Sequence, residues 1–196
     1  MGLREEKKQA TRVAIVDTAL ALFRDQGFHA TRIQDIADRL RISEATFFNY
    51  FPTKESVLEA VADGVIDGSI AILDGEATDR ARTVADRLAD LASEFADQLD
   101  GDPDFVVLLA GNTRYFLGIR TARFERALSL LADLFAEGQS RGEIRDDIAA
   151  AHLAELFLSA TFGAVQNWVQ AGGQEPPLRE RLRLGAAVLI DGCAAR

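Results

Sequence analysis

Apolar residues recur every three or four positions along nearly the whole chain. Val13, Val16, Leu20 and Phe23 fall at i, i+3, i+7 and i+10, and Ile33, Ile36, Ala37 and Leu40 at i, i+3, i+4 and i+7. Leu58, Val61, Val65 and Ile72 carry a further stripe. Val84, Leu88, Leu91 and Phe95 make another, and Phe124, Leu128, Leu131 and Phe135 another still. Residues 148–169 and 178–193 add two more. No window alternates with period two, so the pattern predicts an all-α protein of about nine helices. The breaks agree with the stripes. Gly27 ends the first helix as a left-handed cap. Thr31-Arg32-Ile33-Gln34 has the form of a capping box with Thr31 at the N-cap. Ser43 and Thr53 are suited to cap the third and fourth helices. Gly142, then Gly172-Gly173 with Pro176-Pro177, separate the last three.

Residues 31–51 carry the most specific signal. A short helix to about Leu40 is followed by Arg41-Ile42-Ser43 and then a second short helix through Tyr50. Three residues between two short amphipathic helices is the spacing of a helix-turn-helix, whose second helix lies in the major groove. Phe47 and Phe51, at i and i+4, can face inward. Glu44, Ala45, Phe48, Asn49 and Tyr50 are then left outside. Glu44 can accept from a cytosine amino group, Ala45 can touch a thymine methyl, and Asn49 can pair with adenine through two hydrogen bonds. Thr31, Ser43, Tyr50, Thr53 and Lys54, with the free N–H groups of the helix starts, are candidate phosphate ligands, as are Arg4, Lys7, Lys8 and Arg12 of the N-terminal arm.

Charge qualifies this picture. The 196-residue chain has a formal net charge of −9. Residues 1–60 balance nine basic against nine acidic side chains, residues 105–196 ten against ten, and residues 61–104 hold three against twelve. An acidic chain is a poor indiscriminate binder of polyanions, but a small DNA-reading module on an acidic body remains allowed. The acidic stretch reads as a solvated helix face, with repulsion of DNA or attraction of a cationic ligand as the alternatives. One Cys and two His exclude a disulfide framework and make a histidine-rich metal centre an unsuitable reading. No nucleophile–His–acid cluster, Gly-rich phosphate loop or Glu-x-x-His pair is present, so an enzyme is not expected and no cofactor is implied. The charged start does not read as a secretory signal, and the apolar run around Phe105 to Gly111 is too short to span a bilayer. A cytoplasmic protein without a membrane partner is expected.

Thr11 to Asp63 resembles the N-terminal DNA-binding domain of the TetR family of bacterial repressors. The residues that carry the resemblance are Ile15, Ala19-Leu20, Phe23, Gly27, Thr31 and Ile36-Ala37. They continue with Ile42-Ser43, Thr46-Phe47-Phe48-x-x-Phe51, Lys54-Glu55 and Leu58. The resemblance implies a DNA-binding domain over residues 1–55 and a ligand-binding and dimerisation domain over 56–196. Its DNA-contacting positions here are Thr31, Arg32, Arg41, Ser43, Glu44, Ala45, Thr46, Phe48, Asn49, Tyr50, Thr53 and Lys54. Three positions depart from the family's habit. Arg41 stands where Gly is usual in the turn, at about 1 kcal/mol or more if left-handed geometry is kept. Phe48 stands for a Tyr, and Arg32 for a second Thr.

In the second domain the candidate ligand contacts are Phe95, Leu109, Asn112, Tyr115, Phe116, Phe162, Gln166 and Trp168. They combine apolar walls with polar groups on mostly apolar helices, which need partners. The last two helices are rich in small residues and apolar around much of their circumference, which suggests burial on two sides. By resemblance they form a homodimer interface, through Ala160, Gly163, Ala164, Asn167, Leu182, Gly185, Ala186 and Leu189. A two-fold dimer implies a pseudo-palindromic double-stranded operator. The expected function is a ligand-responsive transcriptional regulator, a repressor released by a small, largely apolar effector. The alternative is a dimeric ligand-binding protein whose DNA motif is impaired, an alternative that Arg41 and Phe48 keep open.

Overall fold

The computed structural model describes residues 2–76, 82–99, 103–112, 121–173 and 176–194. Among them are nine α-helices: α1 Leu3–Gln26, α2 Ile33–Leu40, α3 Glu44–Phe48, α4 Glu55–Glu76, α5 Val84–Leu99, α6 Pro103–Asn112, α7 Ala122–Ser140, α8 Ala150–Gln170 and α9 Leu178–Cys193. An isolated bridge, Ile144 to Ala194, is the extent of extended pairing among these residues. The chain forms two compact units, Met1–Ala62 and Asp63–Arg196. The division falls inside α4, seven residues beyond the end of the 1–55 span expected from the sequence, because Val57 and Leu58 in the first turn of α4 are fully buried.

In the first unit the inward row of α1 is Ile15, Ala19, Leu22 and Phe23. The stripe that begins at Val13 is the less buried one, and Val13 itself is exposed. Both rows satisfy helical periodicity, and packing against α2 selects between them. Gly27 takes φ 87°, its N–H closing on the Phe23 carbonyl, and the chain turns so that the Phe28 ring meets Phe23 edge-on at 4.9 Å. The cap of α2 lies one residue later than the capping-box reading placed it. Arg32 is the N-cap, and its backbone N–H donates to Asp35 Oδ2 at 2.8 Å. Thr31 is buried instead, and its hydroxyl donates to the Gly27 carbonyl. Ser43 does cap α3, accepting from the Thr46 N–H. Thr53 and Ser56 exchange hydrogen bonds at the start of α4, each hydroxyl accepting from the other's backbone N–H.

The second unit is built on α5, α7, α8 and α9. Val84, Leu88 and Leu91 of α5, Leu131 and Phe135 of α7 and Phe157 of α8 lie in one core cluster. One cation is buried beside it. Arg87 is 2% exposed and donates from Nη1 to Glu137 Oε2 at 3.0 Å. The chain of charges runs on from Glu137 to Arg141 and from Arg141 to Glu143, and Glu143 accepts from the N–H of Val84. The first turn of α5 is thereby tied to the end of α7. Burial works against the charge of Glu137, but hydrogen bonds from Arg87 and Arg141 and their positive charges overcome it, so its carboxyl titrates below its ordinary value.

Candidate DNA-reading face and ligand cavity

Two short helices and a tight turn define the candidate reading face. The helix α2 closes on Arg41, whose N–H reaches the Asp38 carbonyl, while the N–H of Ile42 reaches that of Ala37. Arg41 holds φ 57° and ψ 40°. Phe47 and Phe51 are fully buried, with ring centroids 6.0 Å apart, so α3 is anchored by one side. That orientation leaves Glu44, Ala45, Phe48 and Asn49 exposed, with Thr46 and Tyr50 half-buried. Phe48 stands edge-on to Phe47 with 46% of its surface open. A donor–acceptor amide, a methyl, a carboxylate and an exposed ring thus share one small surface, as base-edge readout requires.

The expected phosphate ligands divide into two groups. Ser43 and Thr53 are exposed, although each hydroxyl already accepts a capping N–H. Arg32 and Arg41 are exposed, and among the described residues neither takes an ion-pair partner. Thr31 and Lys54 do a different job. Thr31 is buried, and Lys54 Nζ donates to the carbonyls of Phe28, His29 and Thr31. Both brace the turn between α1 and α2, where the sequence suggested contacts to DNA. Arg12 is similarly engaged, stacked 4.4 Å over the Phe51 ring and donating to the Tyr50 carbonyl.

The second unit contains a small cavity between α4, α5, α7 and α8, about 40 Å³ in volume. Ile66, Ser69 and Leu73 of α4 form one wall. Leu91, Ala92 and Phe95 of α5, Phe124, Ala127 and Leu131 of α7, and Phe157, Leu158, Thr161 and Phe162 of α8 complete it. Phe162 packs edge-on to Phe95 and tilted against Phe124. The two hydroxyls, Ser69 and Thr161, donate back to their own helices, to the carbonyls of Val65 and Phe157. Their remaining capacity toward a ligand is as acceptors. Of the residues expected here, Phe95 and Phe162 line the cavity. Leu109 and Trp168 are buried and Gln166 half-buried, all outside the described lining. Tyr115, Phe116 and the side chain of Asn112 lie outside the described residues. The wall from α4 had no signal in the sequence beyond its helical period.

Four carboxylates of the acidic stretch pair with arginines on other helices. Arg123 of α7 meets Asp63 at 3.1 Å and Asp67 at 2.8 Å on α4, and Arg126 meets Asp74 at 3.0 Å. Arg179 of α9 meets Asp97 of α5 at 2.8 Å. These pairs join helices while their carboxylates stay open to solvent, as the reading of a solvated face expects.

Of the expected dimer residues, Ala160 and Asn167 are exposed, and Gly163, Ala164, Gly185 and Leu189 are half-buried. Leu182 and Ala186 are buried against their own chain, and Ala186 belongs to the core cluster, so a second copy does not find them on the surface. The large apolar side chains left open on these helices are Leu156, Leu184 and Val188, at 43%, 55% and 68% exposure.

Among the described residues no helix is long and apolar enough to cross a membrane, and no group of acidic, His or Cys side chains is arranged to hold a metal ion. Residues 15–61, the helix-turn-helix and its flanks, match the family described as bacterial regulatory proteins, tetR family. The HTH-type transcriptional repressor KstR2 of Rhodococcus jostii (strain RHA1) is 29% identical over 175 residues, covering 85% of this chain and 83% of that protein. The HTH-type transcriptional repressor NicS of Pseudomonas putida is 29% identical over 170 residues, 82% of this chain and 78% of that protein. A crystal structure of Thermus thermophilus FadR, a TetR-family repressor in complex with lauroyl-CoA, superposes with a TM-score of 0.69 at 24% identity, covering 94% of this chain and 96% of that one. The chain is thus similar to the tetR family of bacterial regulatory proteins over residues 15–61, and to HTH-type transcriptional repressors over most of its length. The proteins it resembles are DNA-binding transcriptional regulators, which are not an enzyme family.

Proposed function

We propose that this protein is a ligand-responsive repressor of the cytoplasm that binds a pseudo-palindromic operator as a homodimer and is released by a small, largely apolar effector. The observation that carries the reading is the run of α4. Its first turn supplies Val57 and Leu58 to the core of the first unit, and the same continuous helix supplies Ile66, Ser69 and Leu73 to the cavity wall of the second. Whatever fills the cavity presses on a helix that begins inside the DNA-reading unit.

In this reading Asn49, Ala45, Glu44 and Phe48 read base edges, and Arg32, Ser43, Thr46, Tyr50 and Thr53 set the register on the backbone. The exposed apolar faces of α8 and α9 pair two copies, which places two reading helices in successive major grooves. The cavity takes a hydrocarbon moiety, as befits its lining; the lauroyl group of the FadR ligand is of this kind. The ion pairs of Arg123 and Arg126 with the acidic face of α4 fasten that helix to α7 within the second unit. Exposed pairs of this kind contribute roughly 0.2–1 kcal/mol each, so a coupling energy of about 1–3 kcal/mol is enough to displace them.

The test is an anisotropy titration against duplex DNA from upstream of the protein's own gene, with unrelated duplex of equal length beside it, at two salt concentrations. A preference of roughly a thousandfold, lost in Asn49→Ala with the dimer intact, is the expected result. Specific binding that Asn49→Ala leaves untouched overturns the assignment of α3 as the reading helix. Affinity that stays flat as salt rises overturns the DNA assignment itself.

A further inference from the structure

Among the described residues, four glycines and one other residue hold a positive φ, and that residue is Arg41. The backbone there is over-determined. The N–H groups of Arg41 and Ile42 close the end of α2 onto Asp38 and Ala37, and buried Ile36, Ala37 and Phe47 lock the two helices on either side. Glycine would meet the same demand without a Cβ penalty, so the arginine is not there for the backbone. Nor does its side chain serve the fold. It is exposed, and among the described residues it takes no ion-pair or hydrogen-bond partner, although Asp38 and Glu44 lie three residues away on each side. Strain retained at a position whose side chain does nothing for the folded unit points to a ligand outside it. Two other cations of the first unit, Lys54 and Arg12, are engaged within it. Arg41 is thus a free guanidinium two residues before the N-cap-led helix α3.

We infer that Arg41 is a positioning residue that anchors a DNA backbone phosphate beside the reading helix, its contact in the complex offsetting a left-handed turn that destabilises the free protein. This rests on the reading of the first unit as DNA-binding. The guanidinium fork suits a phosphate through two parallel hydrogen bonds, and a phosphate contact strengthens binding to every sequence alike.

The test uses the full chain and a labelled duplex of about 30 base pairs of unrelated sequence, with salt varied between about 50 and 200 mM. Arg41→Gly is expected to raise the melting temperature by about 2–4 °C. It is also expected to lower the slope of log affinity against log salt by about 0.9 per protomer, with affinity at the lowest salt falling roughly tenfold. Arg41→Lys keeps the charge, so the slope should stay at the wild-type value while affinity falls severalfold. A variant Arg41→Gly that binds with the wild-type slope overturns the phosphate assignment while leaving the DNA reading standing. A lowered melting temperature overturns the trade between strain and contact. Wild-type protein that binds no duplex at any salt removes the DNA reading and this inference together.

Discussion

The ammonium group of Lys54 lies 2.6 Å from the carbonyl oxygen of Phe28 and 4.5 Å from the centroid of the same residue's ring. With the carbonyls of Thr31 at 3.1 Å and His29 at 3.4 Å, it satisfies three acceptors of a turn that α2 and α4 leave without backbone partners. A lysine next to a reading helix invites a phosphate role; here its position makes it a brace. Lys54→Ala should destabilise the first unit by about 2 kcal/mol, through charge-assisted hydrogen bonds and the cation–π contact. Lys54→Arg should recover only part of that, because a planar fork does not converge on three carbonyls. Urea unfolding followed by circular dichroism measures both. An unchanged midpoint in Lys54→Ala would return the residue to the phosphate ligands.

The buried pair of Arg87 and Glu137 sets a pH dependence. Glu137 has a lower carboxyl value folded than unfolded, so the unfolded chain binds the proton more readily. The stabilisation is therefore complete above the unfolded carboxylate value of about 4.3 and is lost as pH falls through the lower folded value. Urea midpoints should decline over that acid window in the wild type and decline less in Glu137→Gln. At neutral pH Glu137→Gln should be less stable by about 3 kcal/mol, since it leaves the Arg87 guanidinium buried without its charge partner. Parallel midpoint curves for the two proteins across the acid range would contradict this.

Filling the cavity should separate sensing from DNA binding. Ala127 lines it from α7 at 5% exposure. Ala127→Leu adds three carbons to a small apolar space, so the second unit should lose about 1–3 kcal/mol of stability and still fold. Affinity for apolar ligands should fall tenfold or more, as read by displacement of a fluorescent hydrophobic probe, while operator binding stays within a factor of two. Undiminished probe binding would place the ligand elsewhere.

On α9, Leu184 and Val188 stand one turn apart and are exposed by more than half. Leu184→Glu with Val188→Glu should convert a dimer to a monomer by sedimentation, with helix content unchanged, because neither side chain supports its own chain's core. Leu182→Glu should instead unfold the second unit, being 3% exposed within one chain. Equal effects of the two changes on stability would mean that the exposed face is not an interface.

The sequence alone determined the helical class, most helix ends and which side chains of α3 stay exposed. These follow from local physics: the 3.6 period, the capping preference of Ser43, and the i, i+4 pair Phe47 and Phe51, which orients α3 whatever it packs against. Two of the residues it offered as phosphate ligands have partners within the chain for one shared reason. Thr31 and Lys54 have side chains equally able to meet a phosphate or a carbonyl, and only the tertiary path of the α1–α2 turn brings the carbonyls of residues 28–31 to them. The same holds for charge. Counting showed an acidic stretch at residues 61–104, but its pairing with Arg123, Arg126 and Arg179 spans dozens of residues and depends on which helices become neighbours. The cavity was half legible. Phe95 and Phe162 stood out as aromatics, whereas Ile66, Ser69 and Leu73 entered because α4 turns that face to the gap. Which row of an amphipathic helix faces inward, as between Val13 and Ile15 on α1 or Leu182 and Leu184 on α9, is set by packing partners that periodicity does not encode.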